Sequence, residues 1–332
     1  MKQDRDRTMA GNEWEINMEI AKKPLWRNKN NLFRKIFKQR YRLALLAPAF
    51  LLIVVFSYAP LYGWIMAFVN YRIGTKLLTS EYVGFFYFIK FFKESNDYIY
   101  LLQNTLAINV LSIVISLPLS AFVAILLKEV RWKFGAKIVQ TVTFFPFFVS
   151  WVITYALITS LFSVNSGSLN IAMIKIGVID EGINLIGSPK YSWGLMVSLD
   201  VWKYLGYNTI IFLSTLSGIS LEQYEAAEID GANRFQQIVH ITIPHLVPTL
   251  CVLIIINSGW IFSSNLEQFY IYTNGTNWSK MEVLDMYVYK FGLKNLKYSY
   301  ATAVGIMKSI ISLGLVIGIN KLIKKLDGTS IF

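Results

Sequence analysis

Six long apolar runs alternate with polar segments along the chain, at about 43–68, 100–127, 138–162, 192–219, 246–271 and 300–319. Each approaches or exceeds the roughly 20 residues needed to cross a bilayer's hydrocarbon core as a helix. In lipid a backbone must satisfy its own hydrogen bonds, so spanning runs of this length are expected to be helical. The pattern therefore predicts an all-α integral membrane protein with six transmembrane helices. Pro48, Pro60, Pro118 and Pro146 lie inside these runs. Proline is tolerated there because neighbouring groups re-satisfy the freed backbone.

Composition strengthens this picture. Apolar residues make up 55% of the 332, only 16% are charged, and mean hydropathy is +0.46. Soluble domains carry about 25% charged residues. The first apolar run follows about forty polar, basic residues, which suits a retained signal anchor rather than a cleaved signal peptide. The lone Cys251 lies within an apolar run, so no disulfide framework is expected. A net charge of +12 could suggest nucleic acid, but the cations flank apolar runs and read as topological signals instead. Of the 32 Lys and Arg, 12 fall in residues 1–42 alone. Placing both termini in the cytoplasm puts 20 cations inside and 10 outside, as the positive-inside rule prefers. The segment 31–42 could form a basic amphipathic helix on the inner leaflet, or a solvated topogenic tail.

One inside segment departs from that rule. Residues 220–245 carry Glu222, Glu225, Glu228 and Asp230 against a single Arg234. Ser220 and Gln223 match a capping box, and Glu222 and Glu225 suit the positive end of a helix dipole. Ala226 and Ala227 favour helix, and Gly231 suits a left-handed stop. A second short helix over 232–240 presents Phe235, and Pro244 is expected to end it. A plain connector needs no such construction, and the acids call for a partner.

The stretch "EAAEIDGANRFQQIVHITIP" resembles the EAA loop of membrane subunits of binding-protein-dependent ABC importers. The match runs through Glu225, Ala226, Ala227, Asp230, Gly231, Ala232, Ile241 and Pro244, with Phe235 between them. "SEYVGFFYFIKFF", "LLQNTLAINV", "VWKYLGYNTIIFLSTLSGIS" and the closing "INKLIKKLDGTSIF" resemble the oligosaccharide and polysaccharide-fragment branch. Ile243 stands where Leu is usual, and Tyr207 where Trp is common. The resemblance implies a type I importer permease, not an enzyme, in a bacterial cytoplasmic membrane. Its organisation would be a basic segment 1–42, a first helix with external segment 43–99, a permease core 100–320 and a tail 321–332. It implies a homologous second permease as heterodimer partner, an ABC ATPase dimer, an extracytoplasmic solute-binding protein and a saccharide substrate. The EAA loop would dock on the ATPase, which would explain its acids. ATP and Mg would be bound by that partner, with no cofactor or metal in this chain. In agreement, the sequence holds no G-x-x-x-x-G-K-[ST] phosphate loop.

Ionisable groups within a span usually face a bundle interior or a water-filled path. Asp200, Lys203 and Lys308 are therefore substrate-path candidates, or structural pairs of Asp200 with Lys203 or Lys308. Asn257, Trp260 and Gln268 suit sugar recognition by amide hydrogen bonds and ring stacking, or packing between helices. His240 and His245 lack further metal ligands. An ion-gradient-driven sugar transporter is the rival reading, although such proteins carry internal repeats and more intramembrane acids. A membrane glycosyltransferase would need converging carboxylates or metal ligands, which the pattern lacks.

Overall fold

A computed structural model describes residues 39–93 and 97–328. Among the described residues the regular elements are helices, joined by turns and irregular segments, with one isolated antiparallel bridge between Val69 and Tyr82. It divides into two units at Gly63–Trp64.

The first unit holds α1 (Arg40–Ile53) with Pro48 inside it, followed by a π turn, Val54–Tyr58. A 3₁₀ stretch, Ala59–Phe68, carries the chain across the unit boundary. The second unit begins with α2 (Phe86–Lys93), α3 (Asp97–Glu129), α4 (Lys133–Phe144), α5 (Trp151–Phe162) and α6 (Ser168–Lys175). Next come α7 (Ser192–Ser217), α8 (Leu221–Ile229), α9 (Arg234–Gln237), α10 (Ile243–Ser258) and α11 (Leu266–Tyr272). The chain closes with α12 (Trp278–Met281), α13 (Leu284–Tyr289) and α14 (Tyr298–Asp327).

Small and polar residues join α3 to α7, as expected where lipid provides no hydrophobic drive between helices. Ser112, Ser116 and Ser120 recur every four residues and so share one face of α3. Ser112 donates to Asp200 (3.1 Å), Asn208 to Ser116 (3.2 Å), and Ser120 to the Leu205 carbonyl (3.2 Å). Gly206 lets α7 approach the end of α4 closely. A Cβ built there would collide with the Thr143 carbonyl oxygen and with the Phe144 backbone. Leu117, Phe212, Leu216, Leu246 and Leu253 form the apolar core along α3, α7 and α10.

The expected spans fare differently. Among the described residues, four helical runs are long and apolar enough to cross a membrane: Arg40–Phe68, Asp97–Glu129, Arg234–Ser258 and Tyr298–Lys325. The expected third span is not one straight helix. Lys133–Phe148 and Trp151–Phe162 meet at 105°. Pro146 lacks an amide, Val149 and Ser150 are extended, and the Ser150 hydroxyl accepts from Ile153 N (3.3 Å) to start α5. The expected fourth span is the 26-residue α7, about 39 Å at ~1.5 Å per residue, but it is less apolar than the other four. Leu195, Met196, Leu199, Phe212 and Leu216 are buried along it, so much of α7 faces protein and need not match lipid. The expected fifth span begins earlier and stops sooner, running Arg234–Ser258 and breaking at Gly259. Trp260 therefore lies in an irregular segment and Gln268 in α11, which Asn265 caps.

Candidate functional site

A cavity of about 620 Å³ opens between α3, α7, α10 and the irregular segment before α11. Asp200, Asn257, Trp260 and Gln268, far apart along the chain, all line it. Asp200 accepts from Ser112 (3.1 Å) and is also approached by the buried Gln268. Asn257 donates back to the Leu253 carbonyl (2.8 Å), leaving its side-chain oxygen for other partners. Trp260 is largely exposed and presents its ring to the cavity. Asn109, Ser116, Asn208, Ser263, Ser264 and Asn265 add amides and hydroxyls, and Tyr204 and Tyr207 add rings. Phe147 stacks on Tyr207 (centroids 5.0 Å, 13°), holding that wall in place. Amides, hydroxyls and aromatic faces of this kind can bind a polyhydroxylated ligand by paired hydrogen bonds and ring stacking.

Lys203 and Lys308 do not line the cavity. Neither forms a salt bridge with Asp200, the pairing that the sequence left open, although Lys203 is close enough to act on Asp200 through its charge. Lys203 is buried and donates to the carbonyls of Pro146 (3.4 Å) and Val149. It thereby gives the Val149 oxygen a donor where α4 gives way to α5, while the Pro146 oxygen also accepts from Val149 N (3.1 Å). Its ammonium lies 5.0 Å from the Trp151 ring centroid. Lys308 pairs with Asp285, whose other oxygen accepts from Ser264 N (2.7 Å). The Ser264 hydroxyl accepts from Asn109 (3.0 Å). That chain braces the cavity wall from behind.

The acidic loop is a second site. Ser220 caps α8 by accepting from Glu222 N (3.3 Å), without the expected Gln223 box. The helix stops at Gly231, whose φ is +81°. Gly231 N donates to the Glu228 carbonyl and Ala232 N to the Ala227 carbonyl (2.8 Å), the paired bonds of a Schellman stop. The capping box appears instead on α9, between Asn233 and Gln236. Pro244 does not end the second helix. The run continues from α9 through a π turn, Ile238–Thr242, into α10. The wider π turn gives room where the Pro244 ring would otherwise crowd the carbonyl four residues back.

Tyr224 anchors the loop: Lys128 donates to its hydroxyl (2.7 Å), which also bonds Thr242 (2.9 Å). The exposed face is mixed in character. Ile229 and Phe235 are largely exposed beside Glu225, Glu228 and Asp230, and Pro244 is exposed too. Ala226 is exposed, while Ala227 and Ala232 are half-buried at the turn. No cluster of metal-ligating residues occurs among the described residues.

The chain's relatives give this arrangement a class. Residues 116–327 match the family described as binding-protein-dependent transport system inner membrane component. The chain is 36% identical over 295 residues to Protein LplB of Bacillus subtilis (strain 168), covering 89% of this chain and 92% of LplB. It is 35% identical over 304 residues to the polygalacturonan/rhamnogalacturonan transport system permease protein YteP of the same organism, covering 92% and 94%. A chain of the bacterial alginate ABC transporter, crystallised with alginate pentasaccharide-bound periplasmic protein, superposes with a TM-score of 0.82. That match has 29% identity and covers 91% of this chain and all of that one.

The chain belongs to the inner-membrane components of binding-protein-dependent transport systems. It is a type I ABC importer permease rather than an enzyme, and its fold is the type I permease fold.

Sequence reasoning missed the serines of α3 and the amides Asn109, Asn208 and Asn265. The four-residue spacing of Ser112, Ser116 and Ser120 could have pointed to a polar face on α3. Nothing along the chain announces that Ser264 and Asp285 meet.

Proposed function

We propose that this chain is one of two permeases in an ATP-driven importer that carries an oligosaccharide or polysaccharide fragment across a bacterial cytoplasmic membrane. Six spans would carry it across, α7 and the bent α4–α5 pair among them, with both termini in the cytoplasm. A solute-binding protein would deliver the saccharide from outside. A homologous permease would complete the path, and rocking of the two would open the cavity alternately to each side. The ATP and Mg would belong to an ABC ATPase dimer.

The observation that carries this reading is the build of the acidic loop. Glu225, Ala226, Ala227, Asp230, Gly231, Ala232 and Phe235 form a stiff, exposed turn whose second helix runs through Pro244 into α10. A push on α8 from a docked ATPase would reach the cavity through one helical strut, because α10 carries Leu253, Ile256 and Asn257 on the cavity wall. The relatives' printed substrates, polygalacturonan or rhamnogalacturonan and alginate, support a saccharide cargo.

The test is substrate-stimulated ATP hydrolysis in liposomes, with ATPase pull-down alongside. Gly231→Val strains a residue at φ +81°, and Glu225→Lys reverses an exposed charge. Both should leave the permease pair assembled while abolishing stimulation and uptake. Wild-type stimulation in both variants would reduce the loop to a connector.

A further inference from the structure

The cavity has a sign of charge. Among its lining residues Asp200 is the only Asp, Glu, Lys, Arg or His. The two nearby cations of the sequence are turned away and occupied. Lys203 is committed to the carbonyls of Pro146 and Val149, and Lys308 to Asp285. Lys203 feels two acids, the exposed Glu267 on α11 and Asp200 itself, so its one charge, held outside the cavity lining, is shared between them. No lining group offers a carboxylate sugar a cation, whereas Asp200 can accept from hydroxyls. In a cavity partly closed off from water, a fixed carboxylate repels another more strongly than it would in bulk solvent.

We infer that Asp200 is a specificity-determining residue that selects neutral, hydroxyl-rich sugar units and disfavours uronates at this position of the path. The inference rests on the reading of this cavity as the saccharide path. It also runs against a direct transfer of acidic cargo from the polygalacturonan/rhamnogalacturonan and alginate relatives. A uronate passing Asp200 would need its countercharge from the second permease.

Two measurements on the assembled transporter test it. The first reads the local potential without any sugar. Trp260→Cys, in a Cys251→Ser background, places a thiol on the exposed cavity wall. Its reaction rates with cationic trimethylammonioethyl and anionic sulfonatoethyl methanethiosulfonate are each normalised to free cysteine. The normalised ratio should favour the cation by roughly three- to tenfold, a tenfold ratio being about 1.4 kcal/mol. It should approach one in Asp200→Asn, which keeps an oxygen to accept from Ser112. Should Asp200→Asn fail to assemble, Asp200→Ser removes the same charge. An anionic preference, or a ratio unchanged by these variants, overturns the inference.

The second compares uptake of an oligogalacturonide with its methyl ester, which has the same rings and length without the charge. The binding protein's own preference cancels when wild type and Asp200→Asn are compared. The ester-to-acid ratio should fall about tenfold in Asp200→Asn, and an unchanged ratio overturns selection by Asp200. If full modification of the Trp260→Cys variant leaves uptake of every sugar intact, the path reading itself fails. That result is separable from a failure of charge selection.

Discussion

Lys203 provides the sharpest test of how the bundle is held. Its ammonium donates to two carbonyl oxygens at the 105° bend; the Pro146 oxygen also accepts from Val149 N (3.1 Å), so it is the Val149 oxygen that depends on the lysine. Lys203→Met keeps the stem's bulk and removes the donor. A hydrogen bond to a charged group contributes about 1.5–3 kcal/mol, and each buried acceptor left without a partner costs about 1–3 kcal/mol. Only the Val149 oxygen loses its donor, and the two descriptions overlap, so a loss of about 1.5–3 kcal/mol is expected rather than their sum. At the about 2–4 °C per kcal/mol of large domains, the drop in Tm is about 3–12 °C. Thermal denaturation of the purified permease pair in detergent, followed by size-exclusion chromatography, reads it. Unfolding of such an assembly is often irreversible, so all variants must share one heating rate. Lys203→Arg, which retains the charge and donors, should recover part of the loss. Unchanged Tm in Lys203→Met together with lost uptake would refute the structural role and return Lys203 to the substrate path.

Further outcomes follow from other close contacts. Gly206→Ala should destabilise the pair by about 1–3 kcal/mol, because its Cβ would meet helix backbone rather than a side chain that can move; the same thermal assay checks it. Lys308→Met or Asp285→Leu alone should lower Tm, while the double variant should recover part of the loss from Asp285→Leu, since no lone charge remains but Ser264 N still lacks its acceptor. Lys308→Met should also reduce uptake of an oligogalacturonide and of its methyl ester equally, because the lysine does not line the cavity. Membrane-impermeant amine labels should reach Lys175 from outside and Lys133 and Lys325 only from the cytoplasm; labelling of Lys133 in intact cells would overturn the six-span arrangement.

Much of the protein was legible along the chain because membrane physics is local. The apolar runs at 100–127 and 300–319 correspond to α3 and α14, since lipid imposes its length and hydropathy on each exposed helix separately. The stop at Gly231 was legible for a similar reason, because a left-handed C′ residue depends on a few neighbours. Three-dimensional packing decided the rest. The 105° bend brings together Pro146, Ser150 and a lysine 54 positions beyond Val149 that donates to the Val149 oxygen. Pro244 carries the local signature of a helix stop, yet it is absorbed into a continuous run because the preceding turn widens. Asp200, Lys203 and Lys308 are all rare charges in apolar sequence, and nothing local distinguishes them. Folding leaves Asp200 on a cavity wall, turns Lys203 to the bend and gives Lys308 to Asp285. The sequence made burying these charges costly, but which partner offsets that cost depends on groups far apart along the chain and brought within hydrogen-bond reach only by the packed bundle.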